Sequence, residues 1–151
     1  MIVTQEQFLL QLIDINNNTS FANTRSIATV VDTYDTDYVE SSASVVSNDS
    51  YENVFVFGYK KSLVEVPPSF SLTINSAEVV TYTDFLTKVL NILSPSVTVT
   101  NVLTGTQYTA ILTVEDIDSQ SFDPQSPGDV LVRISDTSFV FRGSFIVRYV
   151  A

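Results

Sequence analysis

Phe8-Leu9-Leu10-Gln11-Leu12-Ile13-Asp14-Ile15 returns as Phe85-Leu86-Thr87-Lys88-Val89-Leu90-Asn91-Ile92, an offset of 77 (85 − 8). In both stretches the apolar residues recur at helical spacing. Phe8, Leu9, Leu12 and Ile13 share one face, and Phe85, Leu86, Val89 and Leu90 share the other helix's face. The echo continues downstream. Asn53-Val54-Phe55-Val56 is matched by Asp129-Val130-Leu131-Val132, an offset of 76 (129 − 53). Ser69 to Ile74 is matched by Ser144 to Tyr149, an offset of 75 (144 − 69). Three blocks in one order at nearly one offset divide the chain into two modules, 1–76 and 77–151. Each is about 75 residues, close to the lower size for an independent core, so the two are expected to support each other.

Each helix carries a start signal. Thr4 precedes Gln7 and Thr81 precedes Asp84 at capping-box spacing, where the hydroxyl accepts a first-turn amide and the third residue reaches back. The first helix is expected to end near Asn16-Asn17-Asn18. The second should end before Ser94-Pro95, because the residue preceding proline disfavours the α region. The remainder reads as strand: 26–31, 54–57, 62–66 and 70–74 in the first module, then 97–103, 108–114, 130–134, 138–141 and 145–150 in the second. Leu131, Arg133 and Ser135 alternate with Val130, Val132 and Ile134, the period of a half-buried antiparallel strand. Short spacings between the late strands predict a meander of hairpins. Pro67-Pro68 and Gly143 mark one bend in the two copies. The segments leading to Asn53 and Asp129 read as polar loops. The first is about six residues longer, with the excess placed in 41–47.

Composition narrows the function. Seventeen acidic residues against seven basic give a net charge of −10, which opposes binding to nucleic acid or anionic lipid. With no Cys there is no disulfide, thiolate metal site or thiol nucleophile. With no His, the usual neutral-pH base and the commonest transition-metal ligand are missing. A non-enzyme without cofactor is therefore expected. Hydrophobic residues make up 44% and mean hydropathy is +0.21, enough apolar material for real cores. The start has no basic or apolar segment of a secretory leader, and no apolar run approaches the about 18 residues of a membrane span. The Asn17, Asn18 and Asn48 glycosylation patterns are read as chance in an Asn-, Ser- and Thr-rich chain.

Candidate sites are few. Asp32, Asp35, Asp37 and Glu40 cluster in the first module, and Glu115, Asp116, Asp118 and Asp123 in the second. Calcium takes several hard oxygens, but neither segment has the spacing of an EF-hand loop, so solvated loop charge is the simpler reading. Gly58-Tyr59-Lys60-Lys61-Ser62 lacks the second glycine of a phosphate loop and reads as a hairpin turn with exposed lysines. Asp123-Pro124 and Pro127-Gly128-Asp129 read as turns, not as a catalytic carboxylate pair. Phe139, Phe141, Phe145 and Tyr149 fall among β-branched residues and read as core. Tyr34, Tyr38 and Tyr51 sit in polar surroundings where a partner could touch them.

The helix with Phe-Leu-x-x-Leu, the Ser/Thr/Val-rich β body and the ending Phe141-Arg142-Gly143-Ser144-Phe145-Ile146-Val147-Arg148-Tyr149 resemble small virion structural proteins of tailed bacteriophages. The first module departs from that ending, with Glu65-Val66-Pro67-Pro68-Ser69-Phe70 replacing the glycine. The resemblance implies assembly through protein–protein contacts in a virion, with other virion proteins and copies of the chain itself as partners. It implies no catalytic, cofactor-binding or metal residues. The expected fold is α+β and β-rich: two tandem homologous modules, each a short helix packed on a small antiparallel sheet. The final strand, 145–150, is expected to be an edge that invites pairing. Two alternatives belong to other classes: a two-module binding or adhesion protein, calcium-dependent in one form, and an acidic inhibitor protein.

Overall fold

The computed structural model describes residues 1–34, 39–47, 54–64, 66, 70–73, 79 and 81–150. In chain order the elements are α1 (Gln5–Asn17), β1 (Arg25–Tyr34), β2 (Val39–Ser47), β3 (Phe55–Tyr59), β4 (Ser62–Leu63), β5 (Ser71–Thr73), α2 (Tyr82–Leu93), β6 (Ser96–Thr100), β7 (Gln107–Ile111), β8 (Gly128–Arg133), β9 (Phe141–Arg142) and β10 (Ser144–Val150). A 3-10 turn, Val114–Asp116, precedes β8. The fold is α+β, with two helices and several small, mostly antiparallel sheets. Two compact units form, and each draws on both halves of the sequence. One holds Met1–Ser62, Ser96–Ile111 and Asp136–Val140, and the other Leu63–Pro95, Leu112–Ser135 and Phe141–Ala151. Two tandem modules divided at 76/77 are not shown.

In the first unit, α1 starts where the Thr4 hydroxyl accepts the Gln7 amide (3.2 Å) and ends at Asn18, which adopts left-handed backbone at φ 54°. The expected box is half made. The Gln7 carboxamide donates to the Ala22 carbonyl instead (3.3 Å). Phe8, Leu9, Leu10 and Ile13 are buried, each worth about 1.5–3 kcal/mol relative to exposure. Leu12, expected inside, is half-buried. Leu9, Leu10 and Ile13 pack with Ala22, Ile27, Ala43 and Val45 in one core.

That core corrects the reading of 39–47 as loop. These residues form β2, the central strand of the antiparallel sheet β1-β2-β3. Ser41, Ala43 and Val45 are all fully buried. Ala43 and Val45 join the core with Leu9, Leu10 and Ile13, while the Ser41 hydroxyl is taken up by Asp32. The pairing also corrects the hairpin expected at Gly58 to Ser62: β3 pairs with β2, whereas β4 pairs with β9. A separate two-stranded sheet, β6-β7, packs against α1.

In the second unit, α2 carries a complete capping box. The Thr81 hydroxyl accepts the Asp84 amide (3.2 Å) and the Asp84 carboxylate accepts the Thr81 amide (3.1 Å). Tyr82, Phe85, Leu86, Val89 and Leu90 are buried. Phe85 and Tyr82 meet Phe122, and the Tyr149 ring stands edge-on to Phe85. The sheet order is β5-β10-β8. β10 alternates strictly, with Phe145, Val147 and Tyr149 buried. It runs antiparallel to β8 and parallel to β5. Two expectations fail here. β10 is a central strand, not an edge, and the late strands are not a meander, because β9 leaves to pair with β4. Both outcomes depend on partners about 75 residues away, which local pattern does not report. Gly143 sits at φ +113°, and a Cβ there would lie 2.8 Å from Leu63 Cδ1. The equivalent Pro67-Pro68 lies outside the described residues.

Candidate functional site

Within the first acidic group, Asp32 is not solvated loop charge. Asp32 on β1 is paired with Lys61, at 3.0 Å from one carboxylate oxygen and 3.1 Å from the other. Their side chains are 4% and 0% exposed. Lys61 also donates to the Asp136 carbonyl (2.8 Å), and the buried Ser41 hydroxyl donates to Asp32 (2.7 Å). Lys61 is thus no exposed turn lysine, while its neighbour Lys60 is exposed. Burial, and then the charge of Asp32, push the Tyr59 hydroxyl far above the ordinary phenol range. That hydroxyl donates to the Phe139 carbonyl (2.6 Å). A buried ion pair with its hydrogen bonds met is enclosed, so it holds strands in register and offers no nucleophile to a substrate. Glu40 stands exposed on β2. Asp35, Asp37, Tyr38 and Tyr51 lie outside the described residues, as does the side chain of Tyr34.

In the second acidic group, Asp116 and Asp123 are spent on turns. Asp116 accepts from the Thr113 amide (2.8 Å) and hydroxyl (3.0 Å), closing the 3-10 turn. Asp123 accepts from the Gln125 amide (2.9 Å) and the Ser126 hydroxyl (2.8 Å). Those donors, the amide first, hold its carboxyl below the ordinary range. Glu115, Asp118 and Asp129 are exposed. Among the described residues no cluster of three carboxylates could hold a metal ion. Phe141, Phe145 and Tyr149 are core residues, and Phe139 packs partly buried against the first unit's core.

One carboxylate escaped sequence reading. Asp14 takes the Thr19 hydroxyl (2.6 Å) and the Phe21 and Ala22 amides (2.8 and 2.9 Å), pinning the α1–β1 connection. Its signal was present: an acid in the last turn of an apolar helix, followed by a donor-rich Asn-Asn-Asn-Thr-Ser run.

The surface offers shape rather than convergent chemistry. A groove of about 180 Å3 in the first unit is lined by Phe8, Leu9 and Leu12 of α1, Val97 and Val99 of β6, and Lys60 at its rim among others. The β6–β7 turn presents Val102 and Leu103, 83% and 89% exposed. It is tightly held. Asn101 Oδ1 accepts the Leu103 amide (3.0 Å), and the Asn101 carbonyl accepts the Gly105 amide (2.7 Å). In the second unit Leu131 and Ile146 are cross-strand partners on an outer sheet face, each about half exposed. No protein-family model matches the chain, and no curated protein or solved structure matches it.

Proposed function

We propose that this protein is a non-enzymatic structural subunit that assembles through protein–protein contacts, as a component of a tailed-phage virion. The observation that carries the reading is the β6–β7 turn. An apolar pair held fully outward on a hydrogen-bonded turn gains nothing in an isolated chain. It suits insertion into a partner, as exposed apolar surface does generally. The outward Leu131–Ile146 pair adds a second contact surface. The virion itself is suggested by the resemblance at residues 141–149.

The two halves are, in this reading, copies of one ancestral unit. Supporting it, each half runs helix, hairpin, then three further strands among the described residues. Each helix also begins at a capping Thr and ends at a left-handed residue, Asn18 or Ser94. The compact units then drew their parts from both copies.

The test is fractionation of a lysate from cells producing the particle, on a density gradient. The chain should travel with intact particles and resist a salt wash. A chain found wholly in the soluble fraction would overturn the assignment.

A further inference from the structure

Among the described residues, the β6–β7 sheet has one closed edge and one open edge. Antiparallel partners alternate between hydrogen-bonded and non-hydrogen-bonded pairs. The Leu112 amide donates to the Pro95 carbonyl (2.9 Å), and the Asn101 amide to the Thr106 carbonyl (2.9 Å). With the register Val97↔Ala110 and Val99↔Tyr108, the bonded positions of β6 are therefore the odd ones. Ser96, Thr98 and Thr100 aim their backbone N–H and C=O away from β7.

By the same parity Gln107, Thr109 and Ile111 aim outward from β7, and every one of them is used. Thr109 exchanges bonds with Met1 and Val3 (2.8 and 3.0 Å). The Gln107 carbonyl accepts the Met1 amine (3.0 Å), and the Ile111 carbonyl accepts the Gln5 carboxamide (3.3 Å). Among the described residues nothing caps Ser96, Thr98 or Thr100. The strand also lacks the usual guards of an exposed edge, for Ser96-Val97-Thr98-Val99-Thr100 has no charge, proline, glycine or bulge.

We infer that β6 is a self-association edge, paired in antiparallel fashion with β6 of a second copy about a two-fold axis through Thr98. This deepens the assembly reading above and rests on it. The strand is its own antiparallel complement. Thr98 meets the second copy's Thr98, and Ser96 meets its Thr100, all in hydrogen-bonded pairs built from the outward groups. Val97 then faces Val99 of the second copy in a close non-bonded pair. Val97, Thr98 and Val99 all line the apolar groove, so the groove borders the strand and the second copy's Val97 and Val99 extend its wall. In a chain of net charge −10, the uncharged strand is where two copies approach with least repulsion. The groove lining contributes Lys60 and no acid. Because β7's far edge is closed by residues 1–3, pairing stops at a closed dimer and does not propagate into a fibre.

The test is light scattering or sedimentation of the full chain from about 10 μM to about 1 mM, the range in which a small interface associates. The expected result is a shift from one chain of 16.7 kDa toward twice that mass, strengthened by added salt, which screens the acidic surfaces. Thr98→Pro removes an outward N–H without touching the β7 ladder, and Val99→Lys places a guard charge on the edge. Both should stay monomeric, with circular dichroism matching the parent. The Thr98 amide should gain hydrogen-exchange protection with concentration. A parent monomeric throughout the range would overturn the inference. So would a dimer that folded Thr98→Pro and Val99→Lys leave intact. Neither result touches the virion assignment, which stands or falls on the gradient.

Discussion

Replacing Lys61 by Met removes one half of a buried ion pair and leaves the other in place. Asp32 is 4% exposed and would keep only the Ser41 hydroxyl of its described side-chain partners. Removing one member of such a pair typically costs about 3–5 kcal/mol, because the remaining charge is neither paired nor hydrated. At about 2–4 °C per kcal/mol for a chain of this size, the midpoint of thermal unfolding should fall by roughly 6–20 °C. The double variant Asp32→Leu with Lys61→Met removes both charges. Its main residual penalty is the Ser41 hydroxyl losing its acceptor, about 1–3 kcal/mol. It should therefore be more stable than either single variant, a large non-additivity expected for residues in contact. Urea unfolding followed by far-ultraviolet circular dichroism measures all four chains. If Lys61→Met costs under about 1 kcal/mol, as an exposed pair would, the reasoning about an enclosed ion pair is wrong.

Other perturbations test separate parts of the fold. Asp14→Ala strips three bonds from the α1–β1 connection and should cost about 2–3 kcal/mol by the same urea assay, as loss of charge-assisted bonds does. Gly143→Ala should be more damaging than Gly105→Ala. Both positions need positive φ, but only at Gly143 does a Cβ meet a side chain, Leu63, whereas Gly105 faces open space; differential scanning calorimetry should rank them so. Asp123 has a folded pKa below its ordinary 3.8. Its contribution is therefore present above that value and lost as acid drives protonation of the folded form, so the difference in midpoint between parent and Asp123→Asn should shrink as pH falls. Tyr59 behaves in the opposite sense. Its contribution is intact below pH 10.0 and erodes above it as the unfolded chain ionises first. Absorbance at alkaline pH should accordingly show a tyrosine that titrates only on unfolding.

Much of the local structure was legible in the residues. The α2 box at Thr81 and Asp84, the buried stripe Phe85-Leu86-Val89-Leu90 and the alternation of β8 follow from spacing alone. What could not be read was identity under burial. Serine at 41 and alanine at 43 suggest a loop until Asp32 is known to take the one and the core to enclose the other. Lys61 suggests solvent until Asp32 is known to wait behind it. The parallel pairing of β5 with β10 joins residues 77 apart (148 − 71), and no period within either strand encodes it. The expectation that 145–150 is an edge failed for that reason. As for the site, the lack of His and Cys removed several chemistries, and of the candidate acids Asp32 proved to be half of an enclosed pair and Asp116 and Asp123 to be turn acceptors, while Glu40, Glu115 and Asp118 are exposed.

The most direct test of the assembly account is the copy number of this chain in gradient-purified particles, counted by mass spectrometry against isotope-labelled peptide standards. A fixed whole-number count, the same in independent preparations and fitting a rotational symmetry, is what a structural subunit requires. A variable count far below one per particle would mark the chain as a passenger and contradict the account.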